Sequence, residues 1–178
     1  MCPPAYGVGE TLRGGVRSLA REKKIYPLAE GLTTAHSYAV LGNEEKFKRH
    51  KHAWHVWRTL KEFGCTVYPV ALGITRLDGF KFYAGLPELK GKVDVVVPCL
   101  LAQELSSLVE DAAVAGAGYI WFQEQTWTSE FEEKCQGAGI TPVKGCVLRH
   151  KVYRKPWGFM NPCYWHGLGD PKVVSRRF

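Results

Sequence analysis

The chain predicts a parallel, three-layer α/β fold, and three observations carry that prediction. Residues 37–49, Ser-Tyr-Ala-Val-Leu-Gly-Asn-Glu-Glu-Lys-Phe-Lys-Arg, run as a β-type apolar stretch to Gly42 and then turn basic. They lead into a helix-patterned segment that ends near Gly64, so strand, glycine turn and helix follow in the order of a Rossmann-like unit, whose helix start suits a phosphate. Apolar runs and helix-period segments then alternate over about 110 residues, which implies right-handed crossovers and a parallel sheet covered on both faces. Finally, Val-Asp-Val-Val-Val-Pro-Cys-Leu-Leu at 93–101 is the near-continuous apolar run that a parallel strand buried on both faces requires.

Taken in order, residues 1–36 precede the first strand and are expected to form an N-terminal arm packed on the core. Within them 11–24 reads as a helix weakened by Gly14 and Gly15, each costing up to about 1 kcal/mol relative to alanine. Residues 37–42 are the first strand. From 48 to 63, Ala53, Val56, Trp57, Leu60 and Phe63 recur at helical spacing, and Gly64 supplies the stop. Residues 66–70 form a β-branched second strand, followed by a loop through Gly73 and Gly79. After the 93–101 strand, 102–115 reads as an amphipathic helix closed by Gly116 and Gly118. Residues 119–123 are the next strand and 129–136 the next helix, with Ser129 as N-cap and Glu132 at the capping-box spacing. Residues 140–148 form the last strand. There is no internal repeat or low-complexity tract.

From about residue 149 the character changes. Tyr153, Trp157, Phe159, Tyr164 and Trp165 stand among Pro156, Pro162 and Pro171, so 151–178 reads as an irregular extension too aromatic for a solvated tail. A lid over a hydrophobic substrate and a homodimer interface account for it equally, because interface cores are rich in aromatics.

Composition bounds the function. A chain of 178 residues, 46% hydrophobic and 23% charged, fits one soluble globular domain with a full core. No apolar run approaches the roughly 20 residues that span a bilayer. The start, Met-Cys-Pro-Pro-Ala-Tyr-Gly, lacks the charged-then-apolar layout of a secretory signal, so a cytoplasmic location is expected. The six cysteines, at 2, 65, 99, 135, 146 and 163, include no Cys-x-x-Cys pair, which argues against a disulfide scaffold or a zinc site. A net charge of +7 favours anionic partners, a phosphate-bearing cofactor or nucleic acid, although a basic excess also serves solubility alone.

A series of short motifs carries a family likeness. These are Tyr-Ala-Val-Leu-Gly ending at Gly42, Phe-Gly-Cys-Thr-Val-Tyr-Pro-Val ending at Val70, and Gly79-Phe-Lys-Phe-Tyr83 with Gly85-Leu86. Val-Asp-Val-Val-Val, Ile120-Trp-Phe-Gln123, Ala138-Gly-Ile140 and Gly145-Cys146 follow. Through them the chain resembles the small CoA-binding-domain proteins, stand-alone relatives of the CoA-binding domain of succinyl-CoA synthetase. The resemblance covers 36–150 and makes 37–150 a CoA-binding-like domain. It implies a five-stranded Rossmann-like fold with CoA or an acyl-CoA at the first β–α turn. Gly42 and Asn43 would meet the pyrophosphate, the loop after Val70 would border the adenosine, and Tyr83 and Gln123 would line the same edge. The chain departs from the family pattern at three places. Asn43 replaces a serine, Pro69-Val-Ala-Leu72 replaces Pro-Val-Asn-Pro, and Glu124-Gln125 stand where a glycine is usual.

Other chemistries can be weighed from the residues. An NAD site wants Gly-x-Gly-x-x-Gly after the first strand and an acid ending the second. Gly42-Asn43-Glu44-Glu45 and Val70-Ala71-Leu72 meet neither condition, so no NAD is expected. The basic cluster Lys46, Lys48, Arg49, His50, Lys51 and His52 offers Lys48, Arg49 and Lys51 as phosphate ligands, with Glu44 and Glu45 opposing and a solvated helix start as the plainer reading. No nucleic-acid motif accompanies it. His52 and His55 share a helix face, but the nearby sequence offers no third ligand, so no metal is expected.

Cys146 with His150 would make a thiol–imidazole pair, against the alternative that it, like Cys99, is a buried inert thiol. Glu124, just past a strand's C-terminal end, would face the crevice as an acid–base group with Gln123 orienting a carbonyl, or else be a solvated helix-entry acid.

Two functions follow. One is a CoA or acyl-CoA binding module. The other is an isomerase, cyclase or dehydratase on the same fold, working by proton transfer on a hydrophobic small molecule. Its candidate catalytic residues are Glu124, Cys146 and His150. A scaffold with a vestigial crevice is a third, and the sequence leaves open whether the protein is an enzyme.

Overall fold

The computed structural model describes residues 25–124 and 126–150, the last of these by its backbone. The expected helix at 11–24 and the extension at 151–178 lie outside the described residues. The chain enters through a small antiparallel pair, β1 (Pro27–Ala29) and β2 (Leu32–Thr33). Leu28 and Leu32 bury into the core below it.

The central strand is β3 (Ser37–Leu41). Helices α1 (Glu44–Lys48) and α2 (His52–Glu62) follow, then β4 (Thr66–Val70) and a short antiparallel hairpin of β5 (Arg76–Leu77) and β6 (Phe80–Lys81). Next come β7 (Val95–Pro98), α3 (Leu108–Ala115), β8 (Tyr119–Phe122), α4 (Ser129–Gly137) and β9 (Thr141–Lys144). The five long strands form one parallel sheet in the order β4-β3-β7-β8-β9.

The period-2 alternation of strands sorts the core into two layers. Tyr38, Val40, Val95, Val97 and Trp121 face the side where α2 packs with Trp57 and Leu60. Ala39, Val96, Ile120 and Phe122 face the other side, against Leu108, Ala112, Phe131 and Cys135 of α3 and α4. Every residue of β7 is buried, which accounts for its unbroken apolar sequence. Pro98 has no N–H to give, and it lies beyond the Val95 and Val96 registers through which β7 pairs with β8.

Several boundaries differ from the sequence expectation. The helix expected over 48–63 is two helices, because His50 adopts φ +50° and turns the chain between them. The 102–115 helix begins as a 3₁₀ turn at Ala102–Glu104, and the 140–148 strand stops at Lys144, with a 3₁₀ turn at Val147–His150. Thr128, not Ser129, caps α4: its side chain accepts from the Phe131 N–H at 3.2 Å. The loop through Gly73 and Gly79 holds the β5–β6 hairpin, where Phe80 lies under the Lys61 ammonium and edge-on to Trp57. Among the described residues no helix is long and apolar enough to cross a membrane.

Candidate functional site

With strand order β4-β3-β7-β8-β9, the sheet reverses direction of growth between β3 and β7. Crossovers leave that switch point on opposite faces, so a crevice opens there at the strands' C-terminal ends. The structure has a cavity of about 430 Å³ at this place. One wall is Gly42 and Asn43 after β3 with Val70, Ala71 and Leu72 after β4. The opposite wall comes from the segment after β7: Leu100, Glu104, Leu105, Ser107, Leu108 and Asp111. A second depression, about 500 Å³, runs the length of the outer strand β9 beside Tyr119 and Trp127.

Each part of the first wall has a local cause. The Gly42 N–H donates to the Val70 carbonyl at 3.0 Å, carrying the β3–β4 pairing into the turn. A Cβ on Gly42 would fall 2.7 Å from both the Ala53 Cβ and the Phe47 ring, so close packing of α1 and α2 requires glycine here. Asn43 caps α1, its Oδ1 accepting from the Lys46 N–H at 2.9 Å. Tyr83 secures the loop after β4 through its backbone: its N–H donates to the Pro69 carbonyl at 3.1 Å, and its carbonyl accepts from Ala71 at 2.9 Å. Its ring stacks edge-on against Tyr68.

The far wall is acidic. Glu104 accepts from the Leu101 N–H at 2.9 Å, which fastens the 3₁₀ turn. Asp111 accepts from the Ser107 hydroxyl at 2.8 Å across the start of α3.

The expected phosphate ligands lie elsewhere. Lys48 pairs with Glu44, while Arg49 and Lys51 pair with Glu45, all on exposed surface and none on the cavity wall. The Lys51 hydrogen bond and charge hold the Glu45 carboxyl below its usual range. Lys46 donates to the Cys99 carbonyl at 2.7 Å. The cations of this segment are thus occupied by its own carboxylates and by the end of β7.

Gln123 does not reach the cavity wall either. It is 3% exposed, donates to the Trp121 and Gly145 carbonyls at 3.3 Å each, and accepts from the Val147 N–H at 3.1 Å. The side chain ties β8 to the turn after β9. Beside it, exposed Glu124 forms an ion pair with Arg149. Cys146 is half-buried, and burial pushes the Cys99 thiol far up, which keeps it a thiol at neutral pH. The side chain of His150 lies outside the described residues.

His52, set aside in the sequence as half of a weak metal pair, belongs to this second cluster. Burial lowers its pKa, the charges of Lys46 and His55 add to that, and a hydrogen bond with Gln123 and the Glu124 charge oppose it. Only the break at 49–51 makes His52 the first residue of α2, and that break has no periodicity signal. Among the described residues no group of three or more His, Cys, Asp or Glu side chains could hold a metal.

Comparison with known proteins follows the same lines. The family model of the CoA binding domain matches residues 36–151. A hypothetical protein from Pyrococcus horikoshii OT3 superposes with a TM-score of 0.57 at 28% identity, covering 71% of this chain and 94% of that one. The cell-free ID.343 structure from Thermus thermophilus gives 0.54 at 30% identity, covering 63% and 84%. A dinucleotide-forming acetyl-coenzyme A synthetase from Ca. Korarchaeum cryptofilum, in complex with phosphate and ADP, gives 0.52 at 20% identity over 60% of this chain and 25% of its own, a likeness of fold. Among curated proteins no sequence matches.

Proposed function

The chain belongs to the CoA-binding-domain family, and on that premise we propose that it binds CoA or an acyl-CoA in the cavity between the ends of β3, β4 and β7. The observation that carries the reading is the cavity's position at the switch point of a 2-1-3-4-5 parallel sheet, where open α/β folds take their ligands. In this reading Gly42 and Asn43 adjoin the pyrophosphate, and Val70, Ala71 and Leu72 border the adenosine. Tyr83 acts by holding that loop and Gln123 by bracing the sheet end. Lys48, Arg49 and Lys51 contribute at long range, through a field already offset by Glu44 and Glu45. Isothermal titration with CoA, acetyl-CoA and NAD tests it: heat with the CoA species and none with NAD is expected. Silence from both CoA species at millimolar concentration rejects it.

A second reading, a proton-transfer enzyme, draws on one observation. Half-buried His52, buried Gln123 and the Glu124–Arg149 pair gather at the C-terminal ends of the sheet. Its discriminating test is turnover of any substrate identified by Glu124→Gln and His52→Gln variants that fold normally. Full activity in both removes these residues from the chemistry.

A further inference from the structure

The cavity's electrostatics are opposite to what a ligand bearing several phosphates would ask for. Its ionisable lining side chains are Glu104 and Asp111, and no lysine or arginine stands among the lining residues. A third carboxylate, that of the Glu44–Lys48 ion pair, borders it, because the Glu44 Oε2 lies 3.2 Å from the position a Cβ would take on Gly73, directly after Leu72. The formal charge of the whole chain is +7, so this local sign is set by the wall and not by the protein's overall balance.

Apart from Asn43 and Ser107, the other lining side chains are apolar and offer two faces to a flat ring. Val70, Ala71 and Leu72 stand on one side, Leu105 and Leu108 on the other. Leu72 is 79% exposed, an apolar side chain held at the mouth with little of its own to pack on.

The carboxylates are acceptors only. Glu104 uses Oε2 for Leu101 and Asp111 uses Oδ2 for Ser107, so each has a second oxygen outside those bonds. Such a wall accepts hydrogen bonds from ribose hydroxyls or an amino group and repels a phosphate dianion.

We propose that the cavity takes the nucleoside end of its ligand and selects a ribose with a free 3′-hydroxyl over one carrying a 3′-phosphate. The ligand class is then a dephospho-CoA-like nucleotide in preference to CoA. This rests on the nucleotide-binding reading above and deepens it. Selectivity comes from the repulsive element, as is common where two ligands share most of their contacts.

The test is titration of the full chain with dephospho-CoA, CoA, AMP and adenosine 3′,5′-bisphosphate at one fixed ionic strength. Each 3′-hydroxyl ligand should bind at least about tenfold tighter than its 3′-phosphorylated partner, the scale set by like charges a few ångströms apart in a partly screened crevice. In the near-isosteric Glu104→Gln/Asp111→Asn double variant that ratio should fall toward one, chiefly through tighter CoA binding. CoA binding as well as or better than dephospho-CoA overturns the inference and leaves the CoA reading standing. A preference unchanged in the double variant overturns the assignment to these carboxylates. No binding of any of the four rejects the inference together with the reading it rests on. The native-chain ratio is decisive even where the double variant folds poorly.

Discussion

Gly42 stands at the turn after β3 because α1 and α2 crowd it, with the Ala53 Cβ and the Phe47 ring each 2.7 Å from where a Cβ would sit. Neither neighbour is the far end of a flexible chain. Gly42→Ala should therefore destabilise by about 1–3 kcal/mol, the usual cost of overpacking a filled core. Urea denaturation measures it, and an unchanged midpoint would mean that α1 shifts freely.

His52 makes a pH prediction. Its folded-state pKa is lowered, by burial first and by Lys46 and His55 next, against Gln123 and Glu124. The unfolded chain thus binds this proton at higher pH than the folded one. Above the unfolded value near 6.5 both states are neutral here and His52 adds no pH dependence. As pH falls through that value toward the lower folded one, stability declines. His52→Gln should flatten the decline between about pH 7 and pH 5, measured by denaturation at each pH. A slope unaffected by the substitution would assign the loss to other groups.

At the scale of elements, α4 offers the clearest comparison. Thr128 and Ser129 are both good capping residues, and sequence pattern favours Ser129 because Glu132 follows three residues later. The structure gives the cap to Thr128, whose backbone is extended and whose hydroxyl meets the Phe131 N–H. Thr128→Ala should cost about 1 kcal/mol and Ser129→Ala a few tenths at most. The reverse ranking in thermal or urea unfolding would restore the cap to Ser129.

The same element scale shows what the sequence could and could not reveal. The strands at 37–42 and 119–123 are legible because burial on both faces demands unbroken apolar runs, and the edge strand at 66–70 by its β-branched residues. The split between α1 and α2 is not, because Ala53, Val56, Trp57 and Leu60 keep helical spacing whether or not a turn precedes them. Asp78-Gly79 is a strong hairpin signal, both residues having positive φ. The flanking strands are only two residues long, so no alternation accompanies it.

For the whole molecule, the order of the sheet decides where a ligand can go. That Gly42, Asn43 and Val70 line the crevice is readable in the sequence, because strand ends mark it in any open parallel sheet. Glu104, Ser107 and Asp111 were not, since polar residues along a predicted helix resemble a solvated face. Only the 3₁₀ turn at Ala102–Glu104 and the late start of α3 put them on the cavity wall. The basic residues after Gly42 illustrate the converse. Their density suggested a phosphate clamp, yet i,i+4 geometry hands Lys48 and Arg49 to Glu44 and Glu45.

The central claim is that a nucleotide-bearing ligand sits at the β3/β7 switch point. Hydrogen–deuterium exchange of the full chain, with and without saturating CoA and dephospho-CoA, tests it most directly. Slower exchange is expected in three segments that are distant in sequence and meet at the cavity: 42–47, 70–73 and 101–111. Protection confined to 141–144, along the second depression at β9, or protection absent while binding heat is present, would contradict it.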